Sequence, residues 1–339
     1  MATEGNVNGQ QRYDALFTGQ QPDRVPVYPI LMAFAAHAAG STYSHFARDY
    51  RVLVEGNLAC MEKYGFDSVS VISDPFRETA AYGAQILFPE DDVPMCKDHF
   101  VLGWDELKKL PEPDLMACER TRDRVEGCAA FKRALGDTAP IIGWIEGPMA
   151  EAVDLAGMMN FMMKLKLEPD FATALMDKAL ITAEAFARLQ IEAGANIMGV
   201  GDSAVSQISP QTFEQLVLPR QQQLFEAVHR MGVKVKLHIC GDINRHLPAM
   251  ARSGADIIDF DWMNPVESAR RAVGEAVILC GNVDPVGVML HGTPQQVHEH
   301  SIGLLESQRG KRFILSAGCE VPAASPPENL HALCDAVRT

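Results

Sequence analysis

No apolar run in this chain approaches the roughly 18 to 20 residues that a membrane-spanning helix needs. The opening residues, MATEGNVNGQQRYDALF, lack the basic segment followed by an apolar one that marks a secretory signal. A cytoplasmic protein with no membrane partner is expected. Basic residues are outnumbered, 30 Lys and Arg against 44 Asp and Glu, for a formal net charge of -14. That balance excludes a broad cationic footprint, so no nucleic-acid partner is expected. Regular cysteine spacing is missing too. The eight cysteines are irregularly scattered over 339 residues, which excludes a small secreted disulfide scaffold. Most of them read as small buried hydrophobes. No GxGxxG follows the first strand-like segment, which disfavours a dinucleotide-binding sheet.

With 47% hydrophobic residues the chain can bury a large core, and residues 1–339 read as a single domain. Short apolar segments at 25–28, 67–72, 139–145, 195–200, 233–238, 256–260, 276–280 and 312–315 alternate with helical ones. Ser209-Pro210 and Thr293-Pro294 have the N-cap and first-position chemistry of helix starts. This pattern predicts an α/β fold, a (β/α)8 TIM barrel with a small N-terminal excursion. An open doubly wound sheet is the rival. Residues 84–110 carry Pro89, Pro94 and an acidic pair, and read as a peripheral hairpin or excursion within that domain. The Met-rich run DLAGMMNFMMKLKLEP reads as gap-filling side chains, with a flexible wall against a large cofactor as the lesser reading.

In a barrel of this kind the chemistry sits at the carboxyl ends of the strands. His238-Ile239-Cys240 closes the fifth segment, and alternation along a strand turns His238 and Cys240 to one face. Cys319, in LSAGCEVP, follows the eighth. Imidazole plus two thiolates suits a borderline-soft ion such as Zn²⁺, and three protein ligands leave the open position of a catalytic site. The competing reading is a hydrogen-bonded core histidine and two inert thiols. Asp261 is the preferred fourth ligand. Alternatively Asp259 or Asp261 orients His238, or both simply end the strand on backbone amides. Cys280 is as easily core as ligand. Glu146 and Asp202 close the third and fourth segments and are candidate catalytic acids. Asp242, Asn282 and Asp284 are candidate cofactor-positioning groups, and for the GNVDP turn an Asx turn feeding Pro285 weighs equally.

The stretches HICGD, SGADIIDFD, GNVDPVGVMLHGTPQQV and FILSAGCEVPAASPPENLHAL resemble the uroporphyrinogen decarboxylase superfamily. Within it they are similar to its zinc-dependent, corrinoid-linked methyltransferases. The resemblance spans nearly the whole chain, and its specific part is the last 110 residues or so. It implies a (β/α)8 barrel and a zinc site on His238, Cys240 and Cys319, with Asp261 able to take the remaining position. It also implies a methylcorrinoid (cobalamin) on a corrinoid-binding partner protein, and a small thiol or folate acceptor such as coenzyme M or tetrahydrofolate. True decarboxylases of the superfamily carry an arginine-rich N-terminal signature. This chain has PVYPILMAFAAHAAG there, which speaks against porphyrinogen decarboxylation. A decarboxylase-like enzyme and a non-catalytic corrinoid- or tetrapyrrole-binding barrel remain as alternatives.

Overall fold

The computed structural model describes residues 7–338, so the ends of the expected 1–339 domain lie outside the described residues. Nine strands form in chain order: β1 (Val69–Ser70), β2 (Ile86–Leu87), β3 (Met95–Cys96), β4 (Ile141–Glu146), β5 (Ile197–Gly201), β6 (Lys234–Ile239), β7 (Ile257–Phe260), β8 (Ile278–Val283) and β9 (Phe313–Ala317). Seven make one parallel sheet in the order β1-β4-β5-β6-β7-β8-β9, with helices between them. Every residue of β4, β5, β7, β8 and β9 is buried. That is why these segments read as unbroken apolar runs rather than alternating ones.

The expected eight-stranded barrel is thus a curled, open seven-stranded parallel sheet. The segment expected as its first strand, 25–28, forms no ladder. It makes one isolated parallel bridge, Val27 to Leu315, with another just beyond it, Ile30 to Glu320, and its Val27 carbonyl accepts the Asp67 N–H at 2.9 Å. The cause is in the sequence: Pro26 and Pro29 have no N–H to give, so paired donors cannot run along this segment. Asp67 does the joining. Its buried carboxylate accepts from Arg12 (2.9 Å), Arg24 (2.7 and 2.9 Å) and the Val27 N–H (2.8 Å).

Several helices start and stop where local chemistry places them. Tyr50–Tyr64 ends at Gly65, at φ 71, a left-handed position that glycine adopts without a Cβ clash. Pro294–Ser307 opens with a capping box between Thr293 and Gln296. A short helix, Leu247–Met250, follows β6. The excursion at 84–110 holds the antiparallel β2–β3 pair and a short helix, Trp104–Lys109. The Met-rich run breaks at Gly157 into helices Pro148–Ala156 and Met158–Leu167. Met162 packs on the core, but Met158, Met159 and Met163 are exposed, so most of the run does not fill gaps.

Replacing Asp67 with Ala should cost about 3 kcal/mol, because it strands Arg24 and the Val27 amide at once, while Arg12 keeps its pair with Asp23. Urea unfolding of Asp67→Ala against wild type measures this, and a change under about 0.5 kcal/mol, as for an ordinary surface substitution, would contradict it.

Candidate metal centre

The sheet register sets the site. Glu146 pairs with Gly201, Gly201 with His238, and His238 with Asp259, which lines up one row of residues near the carboxyl ends of β4 to β7. Cys240 follows β6, and Cys319 follows β9 by way of Gly318. A Cβ at Gly318 would lie 2.5 Å from the Trp262 amide nitrogen, so only glycine lets this turn approach so closely. His238 Nε2 lies 3.0 Å from Cys240 Sγ and 3.8 Å from Cys319 Sγ, and the two sulfurs are 3.7 Å apart. Ordinary zinc bonds at tetrahedral angles would separate two sulfurs by about 3.8 Å and sulfur from nitrogen by about 3.6 Å. The separations from Cys319 fit a tetrahedral ion, the His238–Cys240 pair stands closer, at hydrogen-bond distance, and would have to open around one, and the two sulfurs are far too distant for a disulfide. Among the described residues, these three form the group of His, Cys, Asp or Glu side chains that could hold a metal ion.

The electrostatics behind the cluster are organised. The hydrogen bond with Cys240 and the nearness of His238 push the Cys319 thiol down to about 4, while Cys240 is pushed up. The pair therefore shares one proton, which an incoming cation would displace. Asp259 Oδ2 stands 3.4 Å from His238 Nδ1 and also pairs with buried Lys236. Burial alone would raise Asp259, but Lys236 and His238 hold it below the usual carboxylate range. A carboxylate this close to the far ring nitrogen favours a proton on Nδ1, which leaves Nε2 free to ligate at the metal position.

The other expected residues are placed as follows. Asp261 is near but outside the three-ligand group, and its oxygens accept the amides of Gly241 and Trp262, both at 2.8 Å. It holds the Cys240–Gly241 turn. Asp202 is wholly buried and accepts from the Ala150 amide and from Gln221, both at 2.8 Å. Asp242 is exposed and accepts from Asn244. Asn282 donates to the carbonyls of Asp261 and Asn264, and borders a separate 520 Å³ groove with Trp262 and His300. Asp284 accepts the amides of Val286 and Gly287, the turn-capping geometry weighed for GNVDP. Cys280 is core.

Glu146 does face the cluster. With His238, Cys240, Cys319, Trp144 and Glu320 it lines a cavity of about 190 Å³. Glu320 belongs to this site although no role was read for it. Burial lifts its carboxyl to about 7, against the Ala33 amide that donates to it at 3.1 Å. The signal was its place directly after Cys319. A second groove of about 550 Å³, with Met158, Met162 and Ser203 in its walls, meets the cluster from outside at Cys240.

Comparison with known proteins gives the family and the fold. The family model described as uroporphyrinogen decarboxylase (URO-D) matches residues 8–339. A methylcobamide:CoM methyltransferase, MtbA, of Methanosarcina mazei is 28% identical over 277 residues, 81% of this chain and 80% of that one. A uroporphyrinogen decarboxylase of an Anaeromyxobacter species is 26% identical over 339 residues, 94% and 95% of the two chains. A solved methyltransferase structure from Methanosarcina mazei superposes with a TM-score of 0.89 at 24% identity, over 98% of this chain and 99% of that one, so the fold is shared.

Asp202 generates a pH test. Burial raises its carboxyl to about 6 in the folded protein. The neutral form is thus favoured: this stabilisation is present in full below the unfolded value and lost as pH rises through about 6. Gln221 Oε1 has no partner, so a flipped Gln221 can receive an Asn at 202. Asp202→Asn should match wild type near pH 4 and exceed its stability by about 3 kcal/mol at pH 8. Urea unfolding at both values decides it, and a pH-independent difference would contradict the assignment.

Proposed function

This chain belongs to the uroporphyrinogen decarboxylase family, and from that footing we propose that it is a methyltransferase. It moves a methyl group between a corrinoid carried by a partner protein and a small molecule such as coenzyme M or tetrahydrofolate. The observation that supports this reading is the His238, Cys240, Cys319 triangle, whose donor set and spacing suit Zn²⁺ with one position open. A zinc held there supplies Lewis acidity that keeps a coordinated thiol ionised at neutral pH. The similarity to a protein named as a methylcobamide:CoM methyltransferase points the same way.

The chain's own groups have definable tasks. Two thiolates and an imidazole offset the charge of a divalent cation, which leaves a substrate thiolate electron-rich. Asp259 orients His238, and Asp261 steadies the turn that presents Cys240. The outer groove at Met158 and Met162 is where a carrier protein can bring its corrinoid to the open position.

Porphyrinogen decarboxylation fits less well. Among the described residues lining the inner cavity are Asp74, Glu146 and Glu320 but no Lys or Arg, so a polycarboxylate substrate finds no counter-ion. A non-catalytic tetrapyrrole-binding barrel has no use for two thiols converging on an imidazole.

The zinc-loaded protein should remove the methyl group of methylcobalamin when given coenzyme M or tetrahydrofolate, followed by the loss of methylcobalamin absorbance. His238→Ala should slow this at least about 100-fold, within the span that metal catalysis and general catalysis supply. Cys240→Ala and Cys319→Ala should hold well under one zinc per chain. Full zinc in either variant, or turnover of uroporphyrinogen by wild type, would overturn the reading.

A further inference from the structure

One charge in the inner cavity beside the metal centre has no counter-ion among the described residues. The lining holds three carboxylates, Asp74, Glu146 and Glu320, and no Lys or Arg. Two of the three are compensated from behind. Glu146 lies 2.6 Å from the guanidinium of Arg77, and Asp74 pairs with Arg120. Arg77 is wholly buried, and Lys236 is buried against Asp259, so neither cation is presented to the cavity. Glu320 has no such partner. One of its oxygens accepts the Ala33 amide at 3.1 Å, and the charged neighbour that acts on it is Cys319, itself an anion once ionised. A glutamine carbonyl would serve that amide equally well, so holding the start of the short helix Ala33–Ala38 does not account for a carboxylate here.

Position and size narrow what would answer this charge. Glu320 follows Cys319 directly, so a chain of a few carbons reaches from a sulfur at the open metal position to its carboxylate. The nearby walls, Ile30, Met32, Ile72 and Pro75, are apolar, and an ion pair between them is screened far less than in water. The cavity measures about 190 Å³, which is below the roughly 300–1,000 Å³ of sites that take drug-sized ligands and too small for a folate. The charge at the metal points the same way. A divalent cation with two thiolates and an imidazole is neutral, so a substrate thiolate makes the centre an anion, with the Glu320 carboxylate beside it. A molecule with a positive far end relieves both charges, whereas a sulfonate or carboxylate end adds a third.

We propose that Glu320 determines specificity, selecting a small aminothiol acceptor whose sulfur takes the open metal position and whose ammonium pairs with the Glu320 carboxylate. This rests on the methyl-transfer reading and names its acceptor class. The thiol proton passes to water as the sulfur coordinates. The sulfur's electron pair forms the bond to the methyl carbon, and the pair of the cobalt–carbon bond stays on the partner's corrinoid, which becomes Co(I). The ammonium keeps its proton throughout. Coenzyme M has the same two-carbon span as 2-aminoethanethiol but ends in a sulfonate, so it fits the cavity, meets repulsion there and is the weaker acceptor.

Calorimetric titration of the zinc-loaded protein with thiols of one length tests this. The probes are 2-aminoethanethiol, 2-mercaptoethanol and coenzyme M, which end in a cation, a neutral hydroxyl and an anion. Wild type should bind them in that order, with about 10-fold or more between first and last, the scale of one charge-assisted hydrogen bond. Glu320→Gln keeps an acceptor for the Ala33 amide and should hold full zinc. In that variant the aminothiol should weaken about 10-fold, coenzyme M should tighten, and mercaptoethanol should change by less than about 2-fold. Loss of methylcobalamin absorbance at limiting thiol should follow the order of binding. Coenzyme M binding wild type as tightly as the aminothiol, or the same preference in Glu320→Gln as in wild type, overturns the role of Glu320; methylcobalamin still demethylated then leaves the methyl-transfer reading standing. Should Glu320→Gln fail to hold zinc, the wild-type order, with the neutral thiol between the charged ones, decides alone. A zinc-loaded wild type that binds none of these thiols, and demethylates methylcobalamin with neither them nor tetrahydrofolate, overturns both.

Discussion

The strand-end site depends on one buried line of charge, from Lys236 through Asp259 to His238. Lys236 is 1% exposed in the sheet interior, and an ammonium there is tolerated only beside a carboxylate. Asp259 supplies it from the neighbouring strand, two residues further along the row of register pairs. The same carboxylate lies 3.4 Å from His238 Nδ1 and favours a proton there, which leaves Nε2 for a metal. Cys240 shares the face of His238 because it lies two residues on, and the Gly318 turn carries Cys319 to the same point. The interior of the sheet and the donor geometry are thus one electrostatic problem, solved once.

How much of this was legible in the sequence depended on whether a residue's partner was set by a period or by tertiary packing. His238 and Cys240 could be paired from alternation along a strand, and Cys319 from the convergence of strand ends. The parallel α/β order was legible because buried strands read as short apolar runs. The eighth strand was overcounted: 25–28 has the apolar character of a strand, but Pro26 and Pro29 remove the donors a ladder needs. Asp202 and Asp261 stand at strand ends as a catalytic residue would, yet their oxygens are taken by backbone amides and by Gln221. Only the fold reveals most of this competition, since Ala150, Gln221 and Gly241 belong to other segments.

The exposed Met158, beside Met162 in the outer groove, adds an adaptable apolar surface of the kind that accommodates an irregular partner.

The central claim is that His238, Cys240 and Cys319 bind one zinc ion and leave a position for a substrate sulfur. X-ray absorption at the zinc edge of the loaded protein tests it most directly. The account predicts one nitrogen and two sulfur protein ligands, rising to three sulfurs when a small thiol is added. A zinc surrounded only by nitrogen and oxygen, or a shell that added thiol leaves unchanged, would contradict it.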